Sequence, residues 1–333
     1  MKRNYTIRDI AAITGFSFKT VSRVINDEPN VKPSTKEKIM QAIAETNYKP
    51  NVYARSLNGK TLRNVLVSIR KKQGQNTTQW FDYFMSHLIG ASHRYKFTII
   101  QEVIYDDDDL QRSILEQAGG YIDAVALFYL EENDKRIEQA RKNGVPFVSF
   151  EKNRNVPVSV SNDNRKGMLD AANYLFDRGI TRICLLLGAA IDVNVERADA
   201  LTDAYRQRNV ALDRLEVVYD MNNLERIRRF VEGRIDDGAI PEAYFVSGDE
   251  KAIAVYSAAY GRGLSIPDDV SVIGFDNIPV SAYYYPPLTT MGQNFERLAN
   301  EMLTVIDRMI EGDEGAAQSV TVEPELIVRS SVK

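Results

Sequence analysis

Residues 7–25 carry two short runs of helical spacing on either side of a glycine, and a segment built this way has few folds open to it. Thr6, with Asp9 three residues on, is an N-cap signal; Ile7, Ile10, Ala11 and Thr14 then share one face, which predicts a helix from Ile7 to about Thr14. Gly15 permits the positive φ of a tight turn. Ser17 is placed to cap a second helix that turns Val21, Val24 and Ile25 inward and Phe18, Lys19, Ser22 and Arg23 outward. The S-T-K-E run at residues 34–37 reads as a capping box opening a third helix, whose Ile39, Ile43 and Ala44 complete a three-helix core, with Pro50 ending it. Such a second helix suits the major groove: Lys19 and Arg23 match guanine O6 and N7, Phe18 a thymine methyl, and a good bidentate pair discriminates by roughly 1 to 3 kcal/mol. An ordinary helical hairpin with a solvated basic face satisfies the same spacing.

Charge separates this segment from the rest. Residues 1–63 hold 12 Lys or Arg against 5 Asp or Glu, a balance of +7, whereas the other 270 residues carry −11. Phosphate attraction therefore belongs to the N-terminal part, and a chain of 333 residues with 44% apolar content exceeds what one domain usually holds.

No apolar run approaches the roughly 18 residues that span a bilayer, and no apolar signal core follows Lys2 and Arg3, so a cytoplasmic protein without a membrane partner is expected. The single Cys184 excludes an internal disulfide, and its setting in R-I-C-L-L-L reads as a buried strand. His87 and His93 fall on different faces of one predicted helix. With no H-E-x-x-H, cysteine cluster, P-loop or nucleophile elbow, neither an enzyme nor a cofactor or metal is expected.

Beyond Arg63, β-rich runs at 65–69, 97–100, 124–128, 146–150, 182–187, 243–246 and 270–275 alternate with helical patterns at 80–95, 110–118, 134–143, 165–178, 195–208, 224–236 and 251–262. This is the order of an α/β fold with doubly wound parallel sheets. The acidic run 106–109 reads as a solvated helix N-terminus, since the spaced ligands and glycine of a calcium loop are missing.

Taken together, residues 6–11, 20–26, 48–51 and 54–57 match in order and spacing the T-I-x-D-I-A, T-V-S-R-V-I-N, Y-x-P-N and A-R-S-L segments of LacI/GalR transcription regulators, which the chain resembles. The likeness continues through S-N-D-N to Gly167, the I-P-D-D-V-S-V-I-G-F-D run at 266–276 and P-P-L-T-T at 286–290. It implies an all-α helix-turn-helix headpiece at 1–49, a hinge helix and linker at 50–63, and a two-lobed body like periplasmic binding proteins at 64–333. The lobes would be 64–160 with 292–320, and 161–291 with 321–333. By the same resemblance Thr6, Ser17, Phe18, Lys19, Thr20, Ser22, Arg23, Asn26, Tyr48, Asn51, Ala54 and Arg55 meet double-stranded DNA, and Leu57 wedges into the minor groove at the operator's centre.

For the body the resemblance implies a cleft ligand held by Asp163, Asp249, Asp276 and Arg197. Each has a plainer reading, the first two as helix caps, Asp276 as a turn residue and Arg197 as a surface helix residue. Gln79-Trp80-Phe81 stands where many members have N-P-F-F, which places an indole at the cleft mouth for stacking, or else packs it in the first lobe. Gly248 replaces the family's usual asparagine. The cations of Arg70-Lys71-Lys72 suggest a phosphorylated sugar or sugar acid, although they read equally as a solvated cluster. The expected function is a homodimeric repressor of a carbohydrate-utilisation operon, bound to a near-palindromic operator and controlled by a small sugar-like effector. A receptor that does not read DNA, and a regulator sensing a nucleobase, are the alternatives.

Overall fold

The computed structural model describes residues 7–25, 31–46, 63–71, 78–106, 109–118, 121–313, 315 and 318–333. The chain divides into two compact units, Met1–Arg63 and Asn64–Lys333.

In the first unit, α1 (Ile7–Thr14), α2 (Phe18–Ile25) and α3 (Pro33–Thr46) enclose Ile10, Val21, Val24 and Ile39. Gly15 turns the chain at φ 72 and donates its N–H to the Ala11 carbonyl at 3.0 Å. Ser17 caps α2 as expected, its Oγ accepting the Thr20 N–H at 3.1 Å. The third helix departs from expectation. It starts at Pro33, with the Lys32 carbonyl accepting the Thr35 and Lys36 N–H groups, so Ser34 lies inside the helix and not at its cap. Proline is suited to that first position because its missing N–H has no intrahelical partner there. The buried partner of Ile39 is Ala42, three residues on, whereas Ala44 is exposed, as a 3.6-residue period requires.

The second unit contains, among its described residues, two six-stranded sheets. The first is built from β1 (Arg63–Arg70), β2 (Phe97–Ile104), β3 (Ala124–Phe128), β4 (Phe147–Phe150) and β5 (Ser159–Asn162). The second contains β6 (Ile183–Leu186), β7 (Leu215–Val218), β8 (Ala243–Val246), β9 (Ser271–Asp276) and β10 (Thr289–Gly292). Near the C-terminus β11 (Val320–Val322) joins the first sheet beside β5, and β12 (Glu325–Ile327) pairs antiparallel with β10 in the second. The orders are β11-β5-β4-β3-β1-β2 and β12-β10-β9-β8-β6-β7, so each sheet repeats the doubly wound pattern in which strand order reverses beside its first strand.

Helices α4 (Gln79–Ser92), α5 (Ile114–Ala118), α6 (Lys135–Lys142), α7 (Asn164–Phe176), α8 (Asp192–Gln207), α9 (Leu224–Asp236), α10 (Asp249–Gly261) and α11 (Phe295–Ile310) cover the sheets. Because β5 runs to Asn162, β10 to Gly292 and β11 to Val322, the chain crosses between lobes just after those residues. These crossings lie one or two residues later than the expected divisions. Cys184 is buried in the second lobe's core, and burial pushes its thiol up to about 12.

Candidate effector cleft and DNA-reading face

On the first unit, Ser17, Phe18, Lys19 and Arg23 are exposed on one face of α2, while Thr20 and Ser22 are half-buried beside them. Phe18 is 52% exposed although it is among the largest apolar side chains of a three-helix unit. Thr6, Asn26, Tyr48, Asn51, Ala54, Arg55 and Leu57 lie outside the described residues.

In the second unit a cavity of about 220 Å³ opens at the carboxyl ends of the strands of both sheets. A ligand is expected there in a doubly wound sheet, because loops diverge where the strand order reverses. The first lobe contributes Arg70 and Lys71 after β1, Trp80 from α4, Phe128 and Tyr129 at the end of β3, and Phe150 and Glu151 at the end of β4. The second contributes Asn194 and Arg197 from α8, Ser247, Glu250 and Lys251 around the start of α10, Asp276 after β9 and Gln293 after β10.

The first lobe's wall is aromatic. The Trp80 ring stacks on Phe150 at 5.3 Å and 22°, and Phe150 stacks on Phe128 at 5.1 Å and 12°. Tyr129 meets Trp80 edge-on and shares a hydrogen bond with Thr78 at 2.8 Å. Three residues lining the cavity, Tyr129 (φ 52) and Glu151 (φ 68) from the first lobe and Asp276 (φ 125) from the second, hold the left-handed backbone region that side chains seldom occupy. Strain of this kind, of order 1 to 3 kcal/mol each, persists where surrounding structure fixes it, and here it aims side chains at the cavity.

The second lobe's wall is charged. Arg197, 8% exposed, donates Nε to Asn164 Oδ1 at 2.8 Å and Nη1 to Ser247 Oγ at 2.7 Å, and its guanidinium lies 3.9 Å from the Phe275 ring centre. Asp276, 3% exposed, accepts from Gln293 Nε2 on Oδ1, and its Oδ2 has no hydrogen-bond partner among the described residues. Burial raises its carboxyl well above the usual range, reinforced by Glu250 and Asp249 and opposed by Arg197 and Gln293. Both carboxylate oxygens of Glu250 are likewise buried without a hydrogen-bond partner, and burial raises that carboxyl against the pull of Lys251. Glu151 accepts from Asn162 at 3.1 Å and Asn164 at 2.8 Å; burial raises it, with Arg197 opposing.

Of the body residues singled out from sequence, Arg70, Trp80, Arg197 and Asp276 meet at this cavity, while Phe81, Asp163 and Asp249 are not among its lining residues. Phe81 is in the first lobe's core. Asp163 caps α7, accepting the Lys166 N–H at 2.8 Å. Asp249 is fully buried and turned away, accepting Thr290 Oγ1 at 2.6 Å and the Ile278 N–H at 3.1 Å, in a space that Gly274 leaves open by lacking a Cβ. Arg70 is paired with Glu131 at 3.0 Å, and Lys72 lies outside the described residues.

Sequence reasoning passed over Tyr129, Glu151, Glu250, Lys251 and Gln293. Glu250 and Lys251 directly follow a singled-out aspartate at a predicted strand end, which was signal enough to include them. Nothing in the local sequence around Glu151 or Gln293 marks a site, because their roles come from the crossover of two lobes.

Residues 6–51 match the family described as bacterial regulatory proteins, lacI family, and residues 172–332 match the periplasmic binding protein-like domain. The chain is 30% identical over 98% of both chains to the HTH-type transcriptional repressor PurR of Vibrio vulnificus (strain CMCP6). It is 28% identical to catabolite control protein A of Priestia megaterium, over 99% of this chain and 100% of that one. The lac repressor dimer bound to operator and the anti-inducer ONPF shares the fold at a TM-score of 0.86 and 21% identity, over 99% of each chain. The aromatic and charged cleft and the exposed face of α2 are thus parts of a DNA-binding regulator that answers to a small molecule, and the chain belongs to the LacI family of bacterial transcription regulators.

Proposed function

We propose that this regulator is a cytoplasmic homodimeric repressor of carbohydrate-utilisation genes, released from or locked onto a near-palindromic operator by a polyhydroxylated effector in the cleft. The observation that carries this reading is the pairing of an aromatic wall, Trp80 and Phe150, with an opposite wall of Arg197 and Asp276. Sugar rings offer an apolar face to the first and hydroxyl groups to the second. The same arrangement serves reversible binding without chemistry, so no catalytic step is assigned to the carboxylates. Among solved relatives of the fold, one structure is of a cellobiose complex of CelR and another of a LacI-family regulator with bound ribose. The unpartnered carboxylate oxygens of Asp276 and Glu250, together with the Arg70–Glu131 ion pair, favour an effector that brings hydrogen-bond donors over a phosphorylated one.

The test selects duplexes from a random pool with the full-length protein and then titrates the selected duplex in the presence of monosaccharides, sugar phosphates and nucleobases. The expected result is a site of two related half-sites whose affinity shifts some 5- to 150-fold with a neutral or amine-bearing sugar, a coupling of about 1 to 3 kcal/mol. Retention of no selective sequence would make the protein a receptor that does not read DNA. A response to phosphates or nucleobases alone would overturn the polyol reading.

A further inference from the structure

We propose that the effector carries a protonated amine, most simply as an amino sugar, seated between the carboxylates of Glu250 and Asp276. This rests on the polyol reading of the same cavity and narrows it.

Hydrogen-bond supply comes first. Three buried oxygens on the wall, both of Glu250 and Oδ2 of Asp276, have no donor among the described residues, and burial without a partner is costly. The hydrogen bonds of the neighbouring cations run elsewhere, Arg197 to Asn164 and Ser247 and Lys251 through Nζ to the Ser247 carbonyl at 3.0 Å. The wall therefore calls for donors.

Charge then selects among donors. Glu250 and Asp276 both line the cavity, and Glu250 adds to the upward push on the buried Asp276 carboxyl, so the two acids repel each other when ionised. Other charged groups of the lining are paired: Arg70 with Glu131 at 3.0 Å, Lys152 with Glu196 at 3.2 Å and Asp192 with Arg154 at 3.4 Å. Neutral hydroxyl groups supply donors but leave that repulsion in place. An ammonium supplies three N–H donors and a positive charge between the two acids at one point.

The experiment is calorimetric titration of the full-length protein, at a pH where the amine is protonated, with glucose, galactose and mannose. Each is compared with its 2-amino-2-deoxy and N-acetylated derivatives. In at least one series the amine should bind about tenfold tighter than both uncharged members, the margin of a charge-assisted hydrogen bond. Glu250→Gln should abolish most of that preference by weakening the amine far more than the uncharged members, and Asp276→Asn reads the second carboxylate in the same way. Equal or tighter binding of the uncharged members, binding of no amine, or an amine preference that survives both substitutions would overturn the proposal. A neutral hexose that binds alone leaves the polyol reading standing, whereas operator release by nucleobases alone strikes that reading itself.

Discussion

Asp249 and Asp276 follow neighbouring strands of one sheet, and their surroundings give them different work. Asp276 holds φ 125 with one oxygen unpartnered in the cleft, whereas Asp249 ties α10 to β10 through Thr290 and to the loop after β9 through the Ile278 N–H. Burial pushes the Asp249 carboxyl up to about 7, with Glu250 adding to it and the Thr290 and Ile278 hydrogen bonds opposing it. Because this folded value lies above the unfolded one, the stability it contributes is present below the ordinary carboxylate range and is lost as pH rises through about 7. The melting temperature of the ligand-free protein should therefore fall more steeply between about pH 5 and pH 8 than that of Asp249→Asn; parallel curves would contradict the assignment. Arg197 is fixed in the second lobe's wall by Asn164, Ser247 and the Phe275 ring. Arg197→Leu should weaken effector binding by roughly ten- to hundredfold, the 1.5 to 3 kcal/mol of charged hydrogen bonds, and leave operator affinity unchanged when both are titrated on the same preparation.

At the scale of elements, legibility followed how local the cause was. β3, β8 and α9 were readable to the residue because Ala124–Phe128, Ala243–Val246 and Leu224–Asp236 carry their own apolar pattern between clear boundaries. β5 was not: Ser159, Ser161 and Asn162 are polar yet buried, and the partners of Ser159 and Asn162, Ser319 and Gln293, arrive from more than a hundred residues away. β10 was hidden likewise, its Thr289 and Thr290 being buried through Ser331 and Asp249. The helix Phe295–Ile310 was legible and passed over, since Asn294 caps it and Leu298, Met302 and Ile306 recur at helical spacing. For the cleft, sequence reached Arg70, Trp80, Arg197 and Asp276 but not Glu151, whose place depends on Asn162 and Asn164 at the crossover. Local causes also permit a local test in the headpiece. Ser17→Ala removes the cap of α2 and should destabilise that unit by about 1 kcal/mol in thermal or urea unfolding of the N-terminal segment's signals, with the body's transition unmoved.

Across the body, the two lobes are joined by three crossings and by few strong contacts at the cleft mouth. Lys152–Glu196 and Arg154–Asp192 bridge from the loop after β4 to α8, but all four side chains are substantially exposed, and such pairs contribute about 0 to 1 kcal/mol each. Glu151 at the end of β4 also accepts from Asn164 of α7 at 2.8 Å, and a ligand in the cleft shifts the balance between lobe arrangements only as far as it prefers one of them. The −11 body and the +7 headpiece divide the labour of one chain: sensing at the cleft, phosphate attraction at the N-terminal unit. The most direct measurement is the dissociation constant of the selected operator duplex, with and without the hexose or hexosamine that raises the melting temperature most, for the wild type and for Arg197→Leu. The account predicts a shift of roughly 5- to 150-fold in the wild type, and in the variant the same shift only at an effector concentration about ten- to hundredfold higher. Equal operator affinity with the cleft empty and demonstrably filled would contradict it.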